Sequence, residues 1–292
     1  MDLHGAHAVV IGGSKGVGAA LAQELARRGC RLTLIARPSP QLEDVAADVG
    51  AMPLPVDLAD YGALEGVIAR AEEETGPVDV LVSNAATVSS GPFHELTAEE
   101  LQRGVMTNFV AHLELCRQAL PGMRARGRGA IGIVGTMAAE LSMIHLGTYA
   151  PAKAGLAKFG VDLQTELKRT GVAVHVFVLG AVPDTQLSQL GVKDPVVDYL
   201  DKKTASFGTL TSPTVARRIA DRLASNRRTS VVTMPRMAAP LVQFRLLPIR
   251  LTDPVLGRTS RAAAARVRAA AEHDRASPSS QCQADDRMTH WS

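Results

Sequence analysis

Short, almost continuously apolar runs recur along the chain. They are His7–Ile11, Arg31–Ala36, Met52–Val56, Val78–Ser83, Ala130–Val134, Val172–Leu179 and Thr229–Met234. Runs of this length and β-branched content predict strands covered on both faces. The stretches between them repeat apolar residues at helical spacing and carry start signals. Thr97–Glu100 reads as a capping box, and Ser212-Pro213 places a cap before a proline at the first helical position. Strand–helix alternation of this kind predicts an α/β fold. Its parallel sheet has about seven strands, with right-handed crossovers and helices on both faces.

The rhythm breaks twice. Residues 184–210 form a long connection after the sixth run, the length expected of a lid or binding loop. After Met234 the alternation stops. Residues 236–272 read as a basic, apolar arm ending in the alanine-rich stretch 261–272, and 273–292 read as a disordered tail. The expected organisation is one domain over residues 1–235, followed by arm and tail.

Composition narrows the class. In 292 residues, 46% are hydrophobic and 21% charged, enough apolar content for an ordinary core. Cys30, Cys116 and Cys282 lie far apart, which excludes a disulfide framework and a zinc ribbon. The histidines lack ligand spacing, so no metal is expected. No run of 18 apolar residues is present. The start, MDLHGAHAVV, lacks the basic region of a secretory leader, so a cytoplasmic location is expected. The net charge of +3 is unevenly spread: Arg217–Arg275 holds thirteen arginines, no lysine and four acids. Such a segment can attract an anionic membrane surface, and peripheral membrane contact through the arm is one expectation. A nucleic-acid partner is not expected, because the arginines lack interleaved aromatics.

The first run leads directly into Gly12-Gly13-Ser14-Lys15-Gly16-Val17-Gly18, and a helix follows. Small residues there let the backbone turn tightly and approach a pyrophosphate at the helix N-terminus, as in a Rossmann-type dinucleotide fold. An NTPase loop would need Gly-Lys-Ser/Thr where Gly18-Ala19-Ala20 stands. Gly12-x-Ser14-x-Gly16 also spells a hydrolase nucleophile elbow, but that elbow needs strands upstream, and eleven residues precede Gly12. At the end of the second run, where an acid would accept from the ribose hydroxyls, stand Ala36 and Arg37. With Lys15 in the loop, two cations replace the acid, which favours NADP(H) over NAD(H).

Tyr149 and Lys153 lie one turn apart on a helix whose apolar residues recur at Leu156, Phe159, Leu163 and Leu167. An ammonium beside a phenol should lower the phenol's pKa and suit it to proton transfer at a substrate oxygen.

These features occur in the order of the short-chain dehydrogenase/reductase family, which the chain resembles over about residues 3–235. The matching features are the glycine loop, Asp57-Leu58, Ser83-Asn84-Ala85-Ala86, Asn108, Tyr149-x-x-x-Lys153 and the stretch Leu179–Thr185. Several stretches are similar to 3-ketodihydrosphingosine reductases within it: GGSKGVG, LTLIAR, GPVDVLVSNAA with SSGPF, and PDT at 183–185. The resemblance implies that Ser14, Lys15, Val17 and Arg37 hold the adenosine phosphates of NADPH/NADP+, in a cofactor-binding turn with Gly12, Gly16 and Gly18, the last of which lets the helix pack closely on the sheet. Asp57 and Leu58 would flank the adenine, and Asn84 and Ala85 would touch the inner ribose. Val182 and Thr185 would border the nicotinamide. Asn108 would hold a relay water, and Lys153 the nicotinamide ribose. Tyr149 would act as general acid/base beside Thr136, which stands where the family has serine. Ile11, Ala86 and Leu179 also depart from the pattern, replacing threonine, glycine and proline, and Pro183 suggests a one-residue insertion.

The implied activity is NADPH-dependent reduction of a carbonyl to an alcohol, on a lipophilic ketone such as a 3-keto sphingoid. A homodimer or homotetramer is implied through the long fourth and fifth helices. The departures leave room for a non-catalytic NADP(H)-binding regulator on the same fold.

Overall fold

A computed structural model describes residues 1–140, 143–185, 208–225 and 229–235, with Asp194, 196–198, Lys202, Ala205 and Ala239 besides. Most of the connection 184–210, most of the arm 236–272 and the whole tail 273–292 lie outside the described residues.

The strands are β1 (His7–Ile11), β2 (Arg31–Ala36), β3 (Met52–Pro55), β4 (Val78–Ser83), β5 (Gly129–Thr136), β6 (Val172–Leu179) and β7 (Thr229–Met234). They form one parallel sheet in the order β3-β2-β1-β4-β5-β6-β7. The helices are α1 (Gly16–Arg27), α2 (Pro40–Val49), α3 (Val67–Thr75), α4 (Ala98–Val105), α5 (Ala111–Ala125), α6 (Tyr149–Glu166) and α7 (Ser212–Ala224). Two cores flank the sheet. Leu21, Leu25, Leu42, Val215 and Ile219 fill the side of α1, α2 and α7. Ile68, Leu115, Leu156 and Leu163 fill the side of α3, α5 and α6. Burial on both faces explains why the strands read as unbroken apolar runs.

The expected doubly wound sheet is present, and the differences in detail have local causes. The capping box at Thr97 forms in full: its hydroxyl accepts from Glu100 N, and Glu100 reaches back to Thr97 N. At α7, Ser212 is already helical and Thr211 holds the cap position without a side-chain bond to the helix backbone. The Asp184 carboxylate accepts from Ser212 N instead, at 3.1 and 3.2 Å. The stretch expected as one long fourth helix is divided. A turn of π-helix, Met106–Val110, separates α4 from α5 and carries Asn108.

The chain starts at β1, works outward to β3, then crosses back to β4. The reversal between β1 and β4 leaves the strand tips parted, which is where α/β sheets form ligand clefts.

Three histidines are buried in this core as neutral rings. His7 bonds the Gly76 carbonyl and the Thr33 hydroxyl, and burial lowers its pKa. Burial lowers His175 to about 4, and burial together with the Lys153 charge lowers His112 to about 3. On unfolding each ring would recover the ordinary value near 6.5. The unfolded state therefore binds more protons below pH 6.5, so stability is complete above that pH and falls as pH drops toward 3. Thermal unfolding is expected to show this decline, of up to about 1.4 kcal/mol per pH unit for each ring. His112→Phe should flatten the slope, and an unchanged slope would dismiss His112 as a contributor.

Candidate active site

A cleft of about 690 Å³ opens at the carboxyl ends of the strands around the β1/β4 reversal. Gly12, Ser14, Lys15, Gly16 and Val17 line it from the β1–α1 turn, Ala36, Arg37 and Ser39 from the end of β2 and the loop after it, and Asp57 and Leu58 from the loop after β3. Asn84 and Ala85 follow β4, Thr136 ends β5, and Val182 and Thr185 follow β6. Tyr149 and Lys153 complete the wall from α6. The sequence-predicted residues are thus brought together from seven separate segments, with two exceptions.

Gly18 lies behind the cleft rather than in it, where it has the packing role expected of it. A Cβ there would collide with the Gly12 carbonyl oxygen and stand 2.7 Å from Asn84 Nδ2. Glycine is needed for the close approach of α1 to β1. Gly12 has φ +84°, and a Cβ on it would fall 2.6 Å from Ala85 Cα. The same joint is held by hydrogen bonds: Asn84 Nδ2 donates to Gly12 O at 3.1 Å, and Ile11 O accepts from the N–H groups of Asn84 and Ala85. Ile11 meets its neighbours through its main chain, so a side-chain hydroxyl is not required.

Asn108 is the second exception. It is fully buried, and its amide is committed to the Thr87 backbone, accepting from Thr87 N at 2.7 Å and donating to Thr87 O at 2.8 Å. That side chain ties α4–α5 to the loop after β4. A relay water would have to use other atoms.

The first turn of α1 presents its N–H groups without competition. Lys15 occupies the cap position with no side-chain cap bond, and no acid lies in the first turn. Unpaired N–H groups and the helix dipole favour an anion there. The residues present therefore fit a pyrophosphate-bearing dinucleotide. Gly16 packs toward Thr185, whose Cγ2 would lie 3.5 Å from a Cβ on the glycine, so the two loops meet across the cleft.

At the other end, Tyr149 and Lys153 are 8% and 2% exposed. Lys153 Nζ donates to Ala85 O at 3.0 Å and Val134 O at 3.2 Å, and burial depresses its pKa to about 7. Tyr149 differs from expectation. Burial pushes the phenol above its ordinary value, and a hydrogen bond from the Thr136 hydroxyl offsets part of that rise. Lys153 directs its hydrogen bonds to those two carbonyls, and burial of the phenol outweighs the Thr136 bond. Thr136 Oγ1 also accepts from Ala138 N at 3.2 Å, which fixes the hydroxyl at the end of β5.

Sequence reasoning overlooked two residues. His112, one turn after Asn108, shares the Ala85 carbonyl with Lys153, its Nε2 lying 3.0 Å from that oxygen. Spacing from Asn108 along one helix could have suggested it. Arg103 lines the cleft and pairs with Asp57, its Nη2 lying 2.9 Å from Oδ2. The partners are far apart in sequence, so no local pattern signals the pair. The elbow reading of Ser14 finds no support, because the described lining of the cleft contains no histidine to serve as its base.

The family model for short chain dehydrogenases matches residues 6–194. The chain belongs to the short-chain dehydrogenase family. The 3-dehydrosphinganine reductase of Danio rerio is 32% identical over 186 residues, covering 60% of this chain and 56% of that protein. Ketoacyl reductase HetN of Nostoc sp. is 30% identical over 191 residues, covering 64% and 67%. Among solved structures, an actinorhodin polyketide ketoreductase with NADPH superposes with a TM-score of 0.72 at 25% identity, covering 79% of this chain and 95% of that one. The chain spans a little over half the length of the sphinganine reductase it matches. Within the described residues no helix is long and apolar enough to cross a membrane.

Proposed function

We propose that this short-chain dehydrogenase reduces a ketone to an alcohol using NADPH, on a lipophilic substrate of the 3-keto sphingoid kind. The observation that carries the proposal is the shared cleft, with Tyr149, Thr136 and Lys153 at one end and Lys15 and Arg37 at the other. NADPH, when bound, supplies the hydride. Lys15, Arg37 and the uncapped start of α1 suit its phosphates, and Lys153 suits the ribose next to the nicotinamide. Tyr149 keeps its proton because burial disfavours the phenolate. It can therefore give that proton to the oxygen of a carbonyl becoming an alkoxide. Thr136 can donate to the same oxygen, stabilising charge that develops only in the transition state.

Apolar neighbours support the substrate class. Ala138, Leu146 and Val197 cluster with Tyr149, and Val88 and Met143 pack against them. The relative named for 3-dehydrosphinganine reduction points the same way. The division at residue 235 is proposed on the completion of the sheet by β7. Association as a homodimer or homotetramer, and peripheral membrane contact through the arm, belong to the same proposal.

The deciding experiment is a panel of long-chain and short-chain ketones with NADPH. Turnover greatest on the long-chain members is the expected result. Binding of NADPH without turnover on any ketone would identify a regulator instead. Nicotinamide fluorescence titration should show NADPH binding tighter than NADH, with Arg37→Ala reducing the preference about ten-fold. Equal affinities in the unaltered protein would remove the cofactor assignment.

A further inference from the structure

Helix α4 borders the cleft, with its Gly104 packed against Thr148 at the start of α6. From it, Arg103 places Nη2 2.9 Å from Asp57 Oδ2 and 3.3 Å from Oδ1. Both side chains are 38% exposed. Asp57 Oδ1 also accepts from Ala59 N at 3.1 Å, so the carboxylate is fixed by its own backbone. Arg37 is the second guanidinium acting on Asp57, and with Arg103 and the Ala59 bond it holds that carboxyl below the usual range. Lys15 and Ser39 line the same cleft. Two guanidiniums therefore act on one acid, and a third cation stands in the same cleft.

One carboxylate does not balance this charge. A solvent-exposed ion pair is held weakly, so Arg103 gives up little by exchanging partners. Both of its contacts with Asp57 run from Nη2. The rest of the fork is open to a doubly charged oxyanion, which a guanidinium binds more strongly than a single carboxylate.

We propose that Arg103 is a specificity-determining residue for the phosphate on the adenosine ribose, stored on Asp57 and engaging that phosphate together with Arg37. The inference rests on the NADPH reading and adds a residue from outside the βαβ unit that carries Lys15 and Arg37. Asp57 acts as the counter-ion that keeps the guanidinium aimed along the wall. A nucleotide without the ribose phosphate gives Arg103 no reason to leave the acid.

The test needs no substrate and no turnover. Calorimetry on the full chain would compare 2′,5′-ADP with 5′-AMP, which differ by the ribose phosphate alone. The unaltered protein should prefer 2′,5′-ADP. Arg103→Met should reduce that preference about ten-fold while leaving 5′-AMP within about two-fold. Arg103→Lys should restore part of it, because the charge returns without the fork. Asp57→Asn should not lower the preference, since it releases the guanidinium. If Arg103→Met weakens both nucleotides equally, or leaves the preference intact, the proposal is overturned while the NADPH reading stands. An unaltered protein without preference would overturn both.

Discussion

Replacing Tyr149 by phenylalanine is expected to abolish carbonyl reduction while leaving NADPH affinity within about two-fold. The substitution removes a single oxygen. The ring stays in its place, buried against Ala138, Leu146 and Val197. What is lost is the proton that burial keeps on the phenol and the partner of the Thr136 hydroxyl. A positioned general acid contributes about 10²–10⁴-fold to rate. A fall of that size in kcat, with unchanged nicotinamide fluorescence on binding, is the signature sought. If turnover survives, the proton comes from another group and the mechanism must be redrawn. Thr136→Ser should retain most activity, because the hydroxyl at the end of β5 remains.

The second large effect is expected from Gly18→Ala. Its methyl would run into the Gly12 carbonyl oxygen and press on Asn84 Nδ2 at 2.7 Å. The nearer neighbour is main chain, and the Asn84 amide is tied down by its own hydrogen bond. The carbonyl belongs to the turn, and Asn84 is bonded to that same carbonyl. Relief requires α1 to move off β1, which shifts the N–H groups offered to a pyrophosphate. Overpacking of this kind costs about 1–3 kcal/mol or more. We expect a lower unfolding temperature together with at least a ten-fold loss of NADPH affinity. Gly62→Ala is the control: a Cβ there meets nothing nearer than Asp60 Oδ1 at 3.4 Å. Its effect should stay within about 0.5 kcal/mol. Equal behaviour of the two variants would mean that the turn is softer than its contacts suggest.

The sheet was legible because every strand is buried on both faces, which writes itself as an apolar run. Val78–Ser83 and Val172–Leu179 coincide with β4 and β6 end to end. The capping box at Thr97 was legible for a similar reason, since its donors and acceptors lie within four residues. The π turn at Asn108 was not. It accompanies bonds from Asn108 to the Thr87 backbone across 21 positions, and local periodicity holds no trace of them. The cap of α7 was misplaced likewise, because Asp184 supplies it from 28 positions away.

From the sequence alone came the alternation of strands and helices, the glycine turn that admits a pyrophosphate, and the tyrosine and lysine one turn apart. All three depend on neighbours within a few residues, where spacing is geometry. Only the tertiary structure decided how the charged groups behave. It showed that Lys153 bonds the Ala85 and Val134 carbonyls, that burial raises the Tyr149 phenol above its ordinary pKa, and that Arg103 pairs with Asp57. Those outcomes depend on desolvation and on partners brought from distant segments, and neither quantity exists until the chain has folded.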